Sequence, residues 1–402
     1  MTDRSTAEAP PLPRTDTTIL LLSCAAFCSG AGLRICDALL PRIAHDFDRT
    51  TGVAGRVIIS FSVAYGLMQL LFGPLGDRYG KARLVYLALF GCAAGAWASA
   101  RAPGFDSLLW TRAAWGMSAA GVIPLAMAWI GDTVPYEQRQ ATLARLLTGT
   151  LSGMMAGQLG GGLFADSAPG WRGAFFALGT AYAVVALLLL IRVRNMPAPA
   201  AAPAHTRIGF ATQLRSVLQE PWARKVLIAV LIEGAFLLGP LAYLPAYVHL
   251  RFGLSLAAAS ALIALYAIGG LLYALAARRI VPRLGERRMV LLGGLLMGGG
   301  FLAWLLAPLG ELAGPIALLV GFGTYLYHNT LQTHATQMVP AMRATAVALF
   351  AFCLFVGQAI GVTAAGYAFD HWGYVPLLLA PALVLALAGW WFARALQRRA
   401  RA

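Results

Sequence analysis

Charge is scarce in this sequence. Of 402 residues only 12% are Asp, Glu, Lys or Arg, where a soluble domain carries roughly a quarter. Acidic residues are scarcer still, 16 against 31 Lys and Arg. Catalytic signatures are missing: there is no P-loop, no HExxH zinc motif and no GxSxG elbow. The loops are too short for an ATPase domain, which argues against ATP-driven pumping and against an enzyme. No CxxC pair occurs. Cys24, Cys28, Cys36, Cys92 and Cys353 all fall in apolar runs and read as small buried side chains, not metal ligands. Residues 1–16 are polar and Pro-rich, without an apolar core before a small-residue cleavage site, so no signal peptide is expected.

Apolar surface is what the chain has in excess. Hydrophobic residues make 59% of it and mean hydropathy is +0.70, more than a soluble core of this length can bury. Lipid must solvate it. The net charge of +15 would suggest nucleic acid in a soluble protein, but a lipid-embedded chain excludes that partner and makes the charge a matter of topology.

A bilayer-spanning helix needs about 20 apolar residues. Twelve such segments, helices 1 to 12, are expected at 17–41, 53–75, 84–101, 106–131, 142–165, 173–193, 225–249, 256–277, 289–308, 312–335, 345–368 and 374–394. The fold class is therefore an all-α membrane protein. With the N-terminus in the cytoplasm, 23 of the 31 Lys and Arg fall on the cytoplasmic side and six outside, the asymmetry expected of an inserted protein. Trp97, Trp110, Trp171, Trp304 and Trp372 then sit near outer helix ends, and Trp129, Trp222, Trp390 and Trp391 near inner ends. The chain divides into a disordered cytoplasmic N-terminus (1–16), a six-helix half (17–193), a cytoplasmic linker (194–224), a second six-helix half (225–394) and a basic cytoplasmic tail (395–402). In the linker, Ile208, Leu214, Val217 and Leu218 share one helical face, so an interfacial helix is expected.

The halves are repeats. Gly80 in DRYGKARLV matches Gly285 in PRLGERRMV, and Pro135 matches Pro340, both at an offset of 205. Pro41 matches Pro245 and Asp166 matches Asp370 at 204. Two parallel six-helix halves place a substrate site at their interface near mid-bilayer.

From residue 17 to 394 the chain resembles the major facilitator superfamily. The loop GPLGDRYGKAR between helices 2 and 3 is similar to the family's loop motif through Gly73, Asp77, Arg78, Gly80 and Lys81. The resemblance implies that Asp77 meets the N-terminus of helix 11 and latches the cytoplasmic side, where a helix dipole favours an anion. In helix 4, LLWTRAAWGMSAA resembles the family motif whose arginine, here Arg112, is linked to proton coupling. GMMAGQLGGG in helix 5, with Gly153, Gly157, Gly161 and Gly162, resembles the glycine motif of the drug:proton antiporters. Gln158 stands where that motif has proline, and the same glycines also suit ordinary close helix packing. Trp171-Arg172 looks like the family's outer-loop signature.

Charges inside the bilayer cost about 2.5–3.5 kcal/mol each on insertion scales and mark functional sites by default. Helix 1 carries Arg34 and Asp37, helix 4 Arg112 and helix 7 Glu233. Asp37 and Arg112 both fall in the outer third, so an Asp37–Arg112 pair is expected, with Arg34 on the face of Asp37. The repeat positions Leu241, Leu238 and Ala317 are apolar, which concentrates proton chemistry in the N-terminal half. Glu233, about 12 Å from the inner surface at 1.5 Å per residue, either carries a second proton or binds a neighbouring helix. His328 and Gln332 share a face of helix 10.

Phe61, Tyr65, Phe236, Tyr243, Tyr266 and Tyr325, with His328 and Gln358, are the candidate cavity lining. Such a lining suits lipophilic ligands or organic cations. The expectation is a multi-pass protein of the bacterial inner membrane, working as a monomer on protons and a small-molecule substrate, with no cofactor beyond the proton gradient. It exports hydrophobic or amphipathic compounds by proton antiport, or else it is a proton symporter or facilitator of a small anionic metabolite, with Arg34 and Arg112 as clamps.

Overall fold

The protein was analysed as a computed structural model, which describes residues 13–194 and 210–400. Nine stretches of the described residues are helical, long and apolar enough to cross a membrane. One of them, Leu256–Leu306, is two spans in series, because Gly285 (φ 67°, ψ 162°) breaks the helix between them. Two more helices, Tyr136–Ala165 and Ala313–Gln337, have the length to cross but are diluted by glycine and polar residues. These bring the spans to twelve.

Helix 1 runs Pro13–Arg34 and resumes as Leu40–Asp46. Helix 2 is Arg56–Tyr79, helix 3 Lys81–Ala100, and helix 4 is split into Phe105–Ala119 and Val122–Thr133. Helices 5 and 6 are Tyr136–Ala165 and Gly170–Val193. Helix 7 spans Pro221–Phe252 with a π-helical segment, Gly234–Leu238. Helices 8 and 9 lie either side of Gly285, helix 10 is Ala313–Gln337, helix 11 Arg343–Trp372 and helix 12 Tyr374–Arg399.

Two boundaries differ from the sequence reading. Helix 1 is already formed at Pro13, the first described residue, inside the stretch expected to be disordered. Helix 12 continues through the expected tail to Arg399, where the Arg399 guanidinium lies 4.4 Å from the Trp222 ring. The linker helix is present as Phe210–Gln219. Val217 is fully buried, and Thr345 at the start of helix 11 donates to Gln213 at 2.6 Å. Ile208 lies outside the described residues.

The repeat is reproduced in part of the helix contacts. Gly149, Gly153, Gly157 and Gly161, one per turn of helix 5, face the carbonyls of Ser23, Phe27, Ala31 and Ile35 on helix 1, so that a Cβ at any of them would stand 2.0–2.6 Å from a backbone oxygen. At an offset of 204, Gly357 and Gly361 of helix 11 meet Leu231 and Ala235 of helix 7. Gly30 against Thr150 likewise becomes Gly234 against Leu354. Each half thus has a glycine ladder at its centre and its own hydrophobic core.

At the end away from the chain termini the halves clasp each other. The Asp370 carboxylate, closing helix 11, accepts from Gly52 N (2.9 Å) and Thr50 Oγ1 (2.5 Å) at the entry to helix 2. At the related position, Asp166 closes helix 5 and accepts from Ala257 N at 2.8 Å, in the first turn of helix 8. Tyr243 Oη spans the same seam, donating to Val362 O at 3.0 Å and lying 3.3 Å from Gly52 O. We call this the sealed end.

Candidate functional site

Helix 1 is interrupted at residues 35–39, where backbone bonds shorten to the i→i+3 type, for example Asp37 N to Arg34 O and Leu39 N to Cys36 O. Asp37 sits in this break. Its partner is Arg34, whose Nη1 donates to Oδ2 at 2.9 Å, with both side chains buried. The Arg34 guanidinium also lies 5.7 Å from the centre of the Tyr266 ring on helix 8. The ion pair therefore sits at the seam between halves.

The expected Asp37–Arg112 pair is not what forms. Arg112 is 1% exposed, and its Nε donates to the Val57 carbonyl at 3.4 Å. Its guanidinium packs among aromatic rings, 4.3 Å from Phe61, 4.5 Å from Trp115 and 5.7 Å from Phe175. Cation–π attraction is strongest where water is excluded. The break in helix 1 brings Asp37 back onto its near neighbour.

A second ionisable pair lies in the C-terminal half. Glu233, 2% exposed, meets the Nδ1 of His328 at 3.1 and 3.0 Å through its two oxygens. The π-helical turn begins at the next residue, Gly234, and such bulges recur at functional sites. The two residues are 95 positions apart on helices 7 and 10. Nothing in the sequence pairs them, although each was a candidate separately. One and a half turns on, His334 Nε2 stands 3.1 Å from Glu286 Oε2.

Several polar atoms around helix 1 have no partner among the described residues: Arg34 Nη2, Asp37 Oδ1, Arg112 Nη1 and Gln158 Nε2 are all buried and unbonded. An unsatisfied buried group costs about 1–3 kcal/mol, more when charged. Of these, Arg34 Nη2 and Gln158 Nε2 belong to residues that line one cavity. Arg34, Gln158 and Tyr266 line a cavity of about 20 Å³ with Met154, Met155, Leu241, Ile263, Ala264 and Ala267.

The other candidates separate into roles. Phe61 and Tyr65 are buried in packing and line no open surface; Tyr65 lies 4.2 Å from Phe355 of helix 11. Tyr243 is likewise not a lining residue, because its hydroxyl takes its hydrogen bonds inside the sealed end. Tyr266 does line the cavity. Phe236 and Tyr325 are half-buried, and Gln358 is buried beside the helix 7–helix 11 contact. Gln332 is exposed.

In the loop motif, Gly80 (φ 89°) makes the turn that only glycine adopts without strain, and Gly285 repeats it. Lys81 pairs with Asp132 at the end of helix 4. Gly73 and Arg78 are exposed. The side chain of Asp77, and with it the expected contact to helix 11, lies outside the described residues. Trp171 Nε1 donates to Asp46 at 2.9 Å and Arg172 stacks 4.0 Å over the Trp171 ring, tying helix 6 to the end of helix 1. Burial raises the Asp46 carboxyl, but hydrogen bonds from His45, Trp171 and Arg42 outweigh it and hold it below the usual carboxylate range.

The sequence profile described as Major Facilitator Superfamily matches residues 22–362. The chain belongs to this superfamily. It is a membrane transporter, not an enzyme. Its relatives include an "MFS-type efflux pump" of Mycolicibacterium smegmatis, 27% identical with 91% of each chain covered. They also include the "4-hydroxybenzoate transporter PcaK" of Pseudomonas aeruginosa, 25% identical with 92% of this chain and 90% of that one covered. Among solved structures, a bacterial homologue of the human lysosomal transporter Spinster superposes with a TM-score of 0.77 at 18% identity, covering 96% of this chain and 97% of the other. Within this facilitator the helix 5 glycines do a packing job. Gly153, Gly157 and Gly161 press on helix 1, while Gly162 meets Ser260 and Leu256 of helix 8 across the seam.

Proposed function

We propose that this facilitator exports small hydrophobic or amphipathic compounds by alternating access, driven by protons that bind at Asp37. The observation that carries this reading is the Arg34–Asp37 pair, buried in a break of helix 1, with Arg34 resting on Tyr266 of the other half. When the halves part at the sealed end, Tyr266 leaves Arg34 and water reaches the pair. The environment of Asp37 then differs between the two states, and only a differential interaction couples a ligand to a conformational change. Glu233–His328 is the second candidate for proton exchange. The surplus of Lys and Arg supports a cytoplasmic location for the end bearing the termini, which makes the sealed end the outer one in this reading. Export is favoured by the relative named as an efflux pump.

A second reading, symport or facilitated movement of a small anion, is favoured by the unpartnered guanidinium nitrogens of Arg34 and Arg112. The test is lumenal pH in proteoliposomes under an imposed proton gradient, challenged with lipophilic cations and small organic acids, for wild type and Asp37→Asn. Substrate-triggered proton movement lost in the variant supports coupling at Asp37. Unchanged proton movement relocates it to Glu233 or His328. Substrate flux without proton movement refutes coupling.

A further inference from the structure

Gln158 fits neither proton exchange nor packing. It occupies helix 5 between Gly157 and Gly161, whose missing side chains bring helix 1 into backbone contact, and its amide nitrogen is buried without a partner. Arg34 opposes it from helix 1. One guanidinium nitrogen is engaged by Asp37 while Nη2 is free of any partner. Both residues line the same seam cavity, about 20 Å³ in volume, and both are more than nine-tenths buried. In this arrangement the space takes one water-sized group, and a larger acceptor enters only when the seam widens. Every unsatisfied nitrogen around it is a donor, and a buried donor calls for an acceptor.

The charge count at this seam points the same way. Arg34 and Asp37 cancel, whereas Arg112 is surrounded by Phe61, Trp115, Phe175 and one carbonyl, with no acid of its own. The buried set around helix 1 is thus one positive charge in excess. On the opposite half, Glu233 is already engaged by His328. The remaining walls are apolar, with Met154 and Met155 on helix 5 and Leu241 and Ile263 from helices 7 and 8. Methionine walls adapt to varied shapes.

We propose that Arg34 Nη2 and Gln158 Nε2 form a carboxylate-binding subsite once the halves part, so that the preferred substrates are amphipathic organic acids whose anionic head docks there. The proposal rests on the transporter reading above and narrows its substrate class. Arg34 holds its pairing with Asp37 through Nη1 while Nη2 serves the ligand, which puts the substrate head beside the proposed proton carrier. Two parallel donors to one carboxylate give geometric selectivity as well as affinity.

The test uses three compounds of one carbon skeleton, 4-phenylbutyrate, 4-phenylbutanamide and 4-phenylbutyltrimethylammonium, titrated calorimetrically into the full-length protein in detergent. Wild type is expected to bind the acid at least tenfold more tightly than the amide. Gln158→Leu removes a neutral donor without changing charge and should weaken binding of the acid at least fivefold. Arg34→Lys keeps the charge and one bond to Asp37 but loses the fork, and should cost the acid about tenfold. Should Arg34→Lys fail to give monodisperse protein, Gln158→Leu alone decides. The proposal is overturned if wild type does not distinguish acid from amide, which would mean a cavity holding water only, or if Gln158→Leu leaves the affinity for the acid intact. Proton movement in proteoliposomes with the same compounds is read separately. Proton antiport with the ammonium compound alone would uphold the export reading and sink the subsite. Acid selectivity without proton movement would uphold the subsite and sink the coupling.

Discussion

Removing the reciprocal carboxylates from the sealed end should open it, and the size of the effect can be worked out. Asp370 receives two bonds at the start of helix 2 and is half-buried, whereas Asp166 receives one at the start of helix 8 and is exposed. A hydrogen bond to a charged group contributes about 1.5–3 kcal/mol when shielded, and an anion at an exposed helix N-terminus about 0.3–1 kcal/mol. With a discount for solvent we take about 1.5 kcal/mol for Asp370 and about 0.5 kcal/mol for Asp166. Both interactions exist only while the end is shut, so their loss acts wholly on the conformational equilibrium. The double Ala variant should therefore shift it about 30-fold towards the open outer side, since about 1.4 kcal/mol is tenfold. Asparagine still accepts from backbone N–H and caps well, so the double Asn variant should shift it less. The assay is a pulsed-EPR distance between spin labels at Ala168 and Glu311, exposed positions on opposite halves at that end, with the native cysteines replaced. An unchanged distance distribution in the double Ala variant would refute the clasp, as would a larger shift for Asn than for Ala.

Other perturbations follow from the same geometry. Gly157→Ala places a Cβ 2.3 Å from the Ala31 carbonyl, whereas Gly160 has nothing within 4 Å; overpacking should cost about 1–3 kcal/mol in the first case and nothing in the second, read as thermal stability in detergent. His328→Ala leaves the Glu233 carboxylate buried and unpaired, a loss of about 3–5 kcal/mol if the charge persists; the double variant with Glu233→Gln should recover part of the melting temperature. Because the Asp46 carboxyl is held below its ordinary value near 3.8, its contribution is complete above that range and disappears as pH falls through the lower, folded-state value. Asp46→Asn should therefore lower stability at neutral pH and flatten its decline in acid, checked by melting curves from pH 3 to 7.

The spans were legible because lipid imposes length and apolarity on every crossing segment, and the duplication because it preserved its glycines and turn residues. Helices 5 and 10 are the instructive cases. Their polar and glycine content dilutes the apolar signal, yet that content makes buried contacts: Gln158 lines the seam cavity, while His328 meets Glu233 and Asn329 donates to Tyr273. The site was only half legible. Arg34, Asp37, Arg112 and Glu233 stand out as charges in apolar runs, but which pairs form depends on a helix break and on contacts between distant helices. Tyr243 misled because an aromatic in a broken helix fits a lining or a seal equally, and only the position of the Gly52 and Val362 carbonyls decides. Asp166 and Asp370 were read as landmarks of the repeat; their reciprocal reach into the other half has no signature within either repeat alone.

The glycine ladders limit how the molecule can move. Helix 5 meets helix 1 at backbone distance through four glycines one turn apart, and helix 11 meets helix 7 through two, Gly357 and Gly361. Neither pair can slide or spin without driving a carbonyl into a Cα. Asp37 is therefore carried by its half as a mark is carried on a lever. Its separation from Tyr266 tracks the tilt of the whole N-terminal half, and a label on any well-packed surface of that half reports the same stroke.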